Sequence, residues 1–315
     1  MRRGNIIVKF AFYTDIQLTG LTPRHRVDDF PRVLLGKLRE VYDVALAEGC
    51  DFVAYGGDFF NSHRVYSFEV IGDAMDVICE SPLKTYSCIG EHDLYGHSPK
   101  TYPTSTLAFF VRRCPQMVIV REPVSVDGAV IHAKHEWEDM FDAMKRPVDD
   151  SKLNILLCHE LITDDTSLPF DMISTSKLQP CPFDIVASGD LHCGYDAHEV
   201  GGTWFLNPGS LGRRAVSDID RWPQIAIVTA EKGSPPVIEY RKLNAKRGDE
   251  VFGESVADVV RAQQEFNGDA FAKELLDFEA ETEDVHDLVQ KTGKAAGVRA
   301  AVLDYLATKK GSEAV

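Results

Sequence analysis

Phe52-Val53-Ala54-Tyr55-Gly56-Gly57-Asp58 is a four-residue apolar run closed by two glycines and a carboxylate. A run this short, β-branched and aromatic, predicts a strand buried on both faces, as in a parallel sheet. The glycines allow a close turn at its carboxyl end. Asp58 then stands where open α/β sheets bind their ligands.

Four more blocks repeat the layout. Ile6 to Tyr13 leads to Asp15-Ile16-Gln17, and Tyr86 to Ile89 leads to Gly90-Glu91-His92-Asp93. Asn154 to Leu157 leads to Cys158-His159-Glu160, and Phe183 to Ala187 leads to Gly189-Asp190-Leu191-His192. Each places metal-ligand side chains just after an apolar strand. Convergence of five such clusters at one sheet edge predicts a metal site built from strand ends.

The stretches between these blocks set the architecture. Asp28 to Ala47 carries apolar residues at helical spacing and stops at Gly49, a helix with a glycine C-terminal signal. A second helical stretch runs from Phe68 to Cys79, before Pro82. Strand and helix alternating in this way predict a parallel sheet with right-handed crossovers. After Pro115 the texture changes to short strands, Met117 to Arg121, Val124 to Val126 and Ala129 to His132, the last two joined by Asp127-Gly128. His198 to Val200 and Thr203 to Leu206 flank Gly201-Gly202, and Gln224 to Thr229 pairs with Val237 to Arg241. The second half therefore reads as a mixed sheet joined largely by hairpins. The expected fold is α/β, two mixed sheets packed face to face with helices outside.

From Asn244 onward strand signals cease, and residues 246–315 read as a C-terminal helical appendage, either packed on the core or serving as a partner-docking arm. The expected division is thus 1–245 and 246–315. With 315 residues, 44% of them hydrophobic, the chain can bury one sizeable core and a smaller appended unit.

A formal net charge of −15 argues against binding nucleic acid over the whole surface and suits a site that gathers divalent cations. Local basic exceptions are Arg24-His25-Arg26, Arg112-Arg113 and Arg213-Arg214, the second reading as a solvated helix end. No stretch approaches the roughly 20 apolar residues that span a bilayer, and the basic start lacks a cleavage pattern, so a cytoplasmic protein without membrane association is expected. Seven cysteines, Cys50, Cys79, Cys88, Cys114, Cys158, Cys181 and Cys193, form no C-x-x-C pair and read as reduced, buried thiols.

A phosphoester repels nucleophiles, and water is a poor one. Two divalent ions about 3.5–4 Å apart acidify a water and hold the phosphate oxygens, provided one carboxylate is shared between them. Asp58 is the natural bridging group. In their order, the five blocks resemble the motifs of the calcineurin-like metallophosphoesterases, over roughly residues 5 to 245. Gly57-Asp58-Phe59-Phe60-Asn61 and the later Asn207-Pro208-Gly209-Ser210-Leu211 are similar to the DNA repair exonuclease branch, the SbcD-type nuclease subunit.

The resemblance implies a four-layer metallophosphoesterase sandwich and a dinuclear centre. One metal would be held by Asp15, Gln17, Asp58 and His192, the second by Asp58, Glu91, His159 and Asp190. His92 would sit over the phosphate, protonating the leaving oxygen or stabilising the charged transition state, with Asp93 orienting its imidazole. Arg24, His25, Arg26, His63 and Arg213 are the expected substrate contacts, with Arg64 beside His63 and Arg214 beside Arg213. Gln17, Glu91 and Asp190 stand where the family has His, Asn and His. Each still offers an oxygen, which favours hard cations, manganese or magnesium, over zinc or iron.

The activity implied is hydrolysis of phosphodiester bonds in DNA ends or single strands. The partners implied are DNA, an SbcC-type coiled-coil ABC ATPase and a second copy of the chain as homodimer. Two other readings stand beside it: a small-molecule or nucleotide phosphodiesterase, and a catalytically weakened scaffold subunit of a DNA-processing complex.

Overall fold

The structure, a computed structural model, describes residues 6–166 and 171–253. The helical region expected from 246 lies outside the described residues, apart from the short helix Gly248–Val251. Described residues up to Val251 fall in one compact unit.

That unit has twelve strands: β1 (Val8–Tyr13), β2 (Phe52–Tyr55), β3 (Thr85–Ser87), β4 (Met117–Ile119), β5 (Val124–Val126), β6 (Ala129–Lys134), β7 (Leu153–His159), β8 (Ile185–Gly189), β9 (Tyr195–Val200), β10 (Thr203–Asn207), β11 (Gln224–Ala230) and β12 (Val237–Lys242). They form two six-stranded sheets, ordered β12-β11-β1-β2-β3-β4 and β5-β6-β7-β8-β10-β9. Strands β1 to β4 run parallel, and β11 and β12 add antiparallel to the β1 edge. In the second sheet β6, β7, β8 and β10 run parallel between the antiparallel edges β5 and β9. Two mixed sheets flanked by helices were expected, and these are observed.

One placement differs. The hairpin Gln224–Lys242 was expected in the second sheet, but β11 pairs with β1, Phe10 opposite Val228 and Phe12 opposite Ala226. Alternation marks a hairpin as half-buried without specifying which open edge it completes. β1 had a free edge, and the hairpin closes it.

Burial follows the strand period. Phe10, Phe12, Phe52 and Ala54 face Ile131, Ile155, Leu157, Ile185 and Leu206 in the core between the sheets, where the Phe10 and Phe52 rings stack at 5.1 Å. Alternate residues Ala11, Tyr13, Val53 and Tyr55 face the opposite way, under three helices. These are α1 (Phe30–Ala47), α2 (Phe68–Glu80) and α3 (Thr106–Arg113). Asp29 caps α1 by accepting from the Arg32 amide, and Ser67 caps α2 through Val70. The outer face of the second sheet is covered more thinly, by Met140 and Leu178 from short helical turns, with Phe183.

Lys37 of α1 is buried, and its ammonium donates to the Leu211 carbonyl at 2.9 Å. Burial, together with Arg213 and Arg26, pushes it down to about 7. The unfolded chain restores it to its ordinary range near 10.5. Between those values the unfolded state binds more protons, so this group lets stability rise with pH from 7 toward 10 and weighs against folding below 7. Lys37→Met removes that pH dependence. Relative to the parent chain, the variant is expected to lose about 2–3 kcal/mol more at pH 9 than at pH 6. Urea unfolding at the two pH values checks this, and an equal difference at both contradicts it.

Candidate metal centre

The parallel strands put their carboxyl ends at one edge of each sheet, and the two edges meet. The backbone ladder of β1 and β2 continues past the strands: Asp15 N donates to Gly57 O, Gln17 N to Asp58 O and Leu18 N to Phe59 O. Among the described residues five non-glycines have left-handed backbones, Asp15 (φ 50°), Gln17 (φ 47°), Asp58 (φ 60°), His97 (φ 54°) and Asp190 (φ 73°). Four of them are expected metal ligands. Each costs about 1–3 kcal/mol in backbone strain, which a fold retains where side chains must be aimed.

Asp15, Asp58 and His159 offer ligand atoms that all lie within 4.8 Å of one another. His159 arrives from the second sheet and donates through Nδ1 to the Gly56 carbonyl at 2.9 Å. This fixes the ring and leaves Nε2 as the atom turned toward the carboxylates, where a cation would displace its proton. That Nε2 is buried without a hydrogen-bond partner, 3.4 Å from Asp58 Oδ2 and 3.9 Å from both Asp15 Oδ1 and Asp190 Oδ1. Asp15 is held the same way. Its Oδ2 accepts from Thr14 Oγ1 at 2.6 Å and from Asp190 N at 3.0 Å, while Oδ1 is buried and unpartnered. Buried polar atoms are nearly always satisfied, so two orphans facing the same carboxylate mark room for a cation.

A second group, Asp58, Glu91 and His92, shares Asp58. Asp58 Oδ1 accepts from His92 N at 2.9 Å, and His92 Nε2 lies 3.7 Å from Asp58 Oδ2 and 3.6 Å from Glu91 Oε1. A third, Glu91, His97 and Glu136, continues from Glu91, with His97 Nδ1 2.9 Å from Glu136 Oε1. Glu136 was not among the expected ligands, although it follows β6 as closely as Asp15 follows β1.

The expected ligand sets are regrouped. His159 clusters with Asp15 as well as Asp58, and Asp190 reaches His159. His192 Nε2 lies 3.6 Å from Asp15 Oδ1. Gln17 presents its amide nitrogen, not the expected oxygen, donating to Asp58 Oδ2 and His192 Nε2 at 3.2 Å each. It therefore bridges two ligands rather than facing an ion.

Asp93 also takes a different part. His92 Nδ1 donates to the Asn61 carbonyl at 2.9 Å, so Asn61 orients the imidazole. The buried Asp93 carboxylate instead collects the amides of Asp58 (3.2 Å), Gly90 (3.1 Å) and Phe60 (3.5 Å), tying the two glycine turns together. Burial and the Asp58 carboxylate push Asp93 up to about 8. Burial likewise pushes Asp190 up to about 6, Asp15 reinforcing and His159 opposing. His159 is raised well above its ordinary range because Asp58 and Asp15 outweigh its burial. The electrostatics are those of a carboxylate cage seeking positive charge.

Of the expected substrate contacts, Arg26 and Arg213 are structural. Arg26 is buried, paired with Asp28 at 2.6 Å and donating to the Arg213 carbonyl at 2.8 Å. Arg213 is 2% exposed and donates to Lys246 O. Arg24 is exposed and His25 half-buried, while His63 lines a groove that also includes Glu91 and His92. The Asn207–Gly212 loop positions the Asp190–His192 turn: Asn207 Nδ2 donates to Leu191 O at 3.1 Å and Ser210 N to His192 O at 3.0 Å. Arg221, unnoticed in the sequence, binds the Ser210 and Gly212 carbonyls of that loop.

No family model and no curated protein matches the chain. Among solved structures it is similar to a dimetal phosphatase from Danio rerio (11% identity, 73% of this chain and 98% of that one, TM-score 0.48). It is also similar to a purple acid phosphatase from yellow lupin seeds (15% identity, 76% and 52%, TM-score 0.48) and to the E. coli phosphoesterase Yfce (12% identity, 75% and 100%, TM-score 0.38). At such scores the chain's own residues must carry the functional reading.

Proposed function

We propose that the chain is a metal-dependent phosphodiesterase acting on DNA. The observation that carries this is the pair of buried orphan atoms, His159 Nε2 and Asp15 Oδ1, beside a carboxylate shared with a second ligand group. The donor set fits divalent cations. Its oxygens, from Asp15, Asp58, Glu91 and Asp190, outnumber its imidazoles, which favours manganese or magnesium. Asp15, Asp58, His159 and Asp190 would hold one ion, and Asp58 and Glu91 would hold a second, with His92 beside them as the proton donor. When bound, the ions supply an acidified water and neutralise charge on the phosphate.

The chain's own residues do the rest. Asn61 fixes the His92 ring through Nδ1, leaving Nε2 to hand a proton to the departing oxygen. Gln17 holds Asp58 and His192 together, and Asp93 fixes the turns that carry Asp58 and His92.

The finer reading is a nuclease subunit acting on DNA ends or single strands, with an SbcC-type coiled-coil ATPase as partner and a homodimeric assembly. It is supported by the motif resemblance at Gly57–Asn61 and Asn207–Leu211. With manganese, the protein is expected to hydrolyse a generic phosphodiester and linear or single-stranded DNA, to work with magnesium, and to stop in chelator. Metal content below a fraction of one ion per chain after manganese loading, with no hydrolysis, would identify a scaffold instead.

A further inference from the structure

The loops that follow β2 and β3 wall a groove of about 540 Å³, lined by Ser62, His63, Tyr66, Tyr95, Glu91 and His92 among others. That volume lies within the roughly 300–1,000 Å³ of small-ligand clefts. Two of its lining residues are large aromatics left almost bare, Tyr66 at 78% and Tyr95 at 72% exposure. Tyr13, Tyr42 and Tyr55 are buried, and the other strongly exposed ring, Phe68, does not line this groove. A single surface ring needs no explanation, but two in one groove beside a charged centre call for a flat partner.

Other groups in the groove define that partner further. The His63 ring lies 5.9 Å from the Tyr95 ring, tilted by 49°, and so limits where Tyr95 can swing. Arg64 also lines the groove, and its guanidinium forms no ion pair with a described residue. Bare rings beside an uncommitted cation suit a ligand with an aromatic face and a phosphate attached to it. Because the groove shares His92 and Glu91 with the metal centre, a base held there belongs to the strand whose phosphate is at that centre.

We propose that this groove is a nucleobase subsite, in which Tyr66 and Tyr95 stack against an unpaired base of a single strand while Arg64 meets a flanking phosphate. A base paired within a duplex cannot offer its face without first leaving the stack, so the subsite selects single strands and frayed ends. The subsite deepens the phosphodiesterase reading and rests on it for the hydrolytic step.

The test compares two phosphodiesters with manganese: thymidine 5′-(p-nitrophenyl) phosphate and methyl p-nitrophenyl phosphate, which carries no base. The full chain is expected to favour the first in kcat/KM by about tenfold, the order that stacking on one aromatic ring supplies. In Tyr95→Leu and Tyr66→Leu that ratio falls toward one. An equal rate on both esters, or a ratio unmoved by either substitution, overturns the subsite. If neither ester is hydrolysed with any metal, it is the hydrolytic reading that fails. The subsite is then read from fluorescence anisotropy of labelled decathymidine against an abasic decamer. Preference for the base-bearing strand that is lost in Tyr95→Leu sustains it, and equal binding overturns it.

Discussion

Replacing Asp58 by alanine is expected to lower manganese-dependent hydrolysis by on the order of 10³-fold or more, the equivalent of the several kcal/mol that a bound metal lends a transition state. Asp58 belongs to both of the first two ligand groups, so its loss opens both at once. Its Oδ2 lies 3.4 Å from His159 Nε2 and 3.7 Å from His92 Nε2, and its Oδ1 accepts from the His92 amide. The carboxylate thus places the proton donor as well as the cations. Metal content after manganese loading should fall together with turnover. Asp58→Asn keeps the shape and the amide contact while removing the charge, and should lose both properties to a similar degree. Thermal unfolding in chelator tells a folded, inert variant from an unfolded one. Metal-independent hydrolysis surviving in either variant would refute the metal centre.

Much of this site was legible because its parts follow strands whose burial is written in the sequence. Phe52–Tyr55 is apolar throughout, so both faces had to be covered and its carboxyl end had to reach a sheet edge. The same reasoning placed Asp15, Glu91, His159 and Asp190. Strand limits were less secure. β3 was expected at Tyr86 to Ile89 but ends at Ser87, because the Ile89 amide turns away to His135 Nδ1. Of helix α3 only its end at Arg112-Arg113 was read, as eight residues give too little periodicity to stand out, although Ser105 supplies an N-cap.

Side-chain roles were harder than positions, since they depend on contacts between segments far apart in sequence. Arg26 and Arg213 looked like phosphate contacts because charge near a motif suggests substrate, yet each is consumed by internal carbonyls. Asp93 follows His92 directly, which suggested that it orients the ring. Its carboxylate is drawn instead to the crowd of amides that two glycine turns leave unpaired. Gln17 kept the ligand position but turned its donor end inward, since two acceptors already faced it.

Gly57→Ala is expected to be strongly destabilising and to disturb the metal centre directly. Gly57 has φ +98°, outside the range that L side chains tolerate, and an added Cβ would lie 2.8 Å from His159 Nδ1 and 3.1 Å from Gly90 N. Neither neighbour can yield. The His159 ring is buried and pinned by its bond to Gly56 O, and Gly90 is tied to Asp93. Backbone strain of about 1–3 kcal/mol and overpacking of about 1–3 kcal/mol together predict a loss of roughly 3 kcal/mol or more in urea unfolding. Gly49→Ala is the control, because Gly49 also has positive φ (+67°) but nothing lies within 4 Å of its added Cβ. It should cost about 1 kcal/mol, so the excess at Gly57 reports the collision with His159 together with the added strain of its more extreme φ. If the ring is displaced, manganese affinity should drop by about 10–100-fold, the scale of losing a group that orients a ligand, whereas Gly49→Ala leaves affinity untouched. Equal costs at the two glycines would mean that the His159 ring does not pack against Gly57 as its bond to Gly56 O requires.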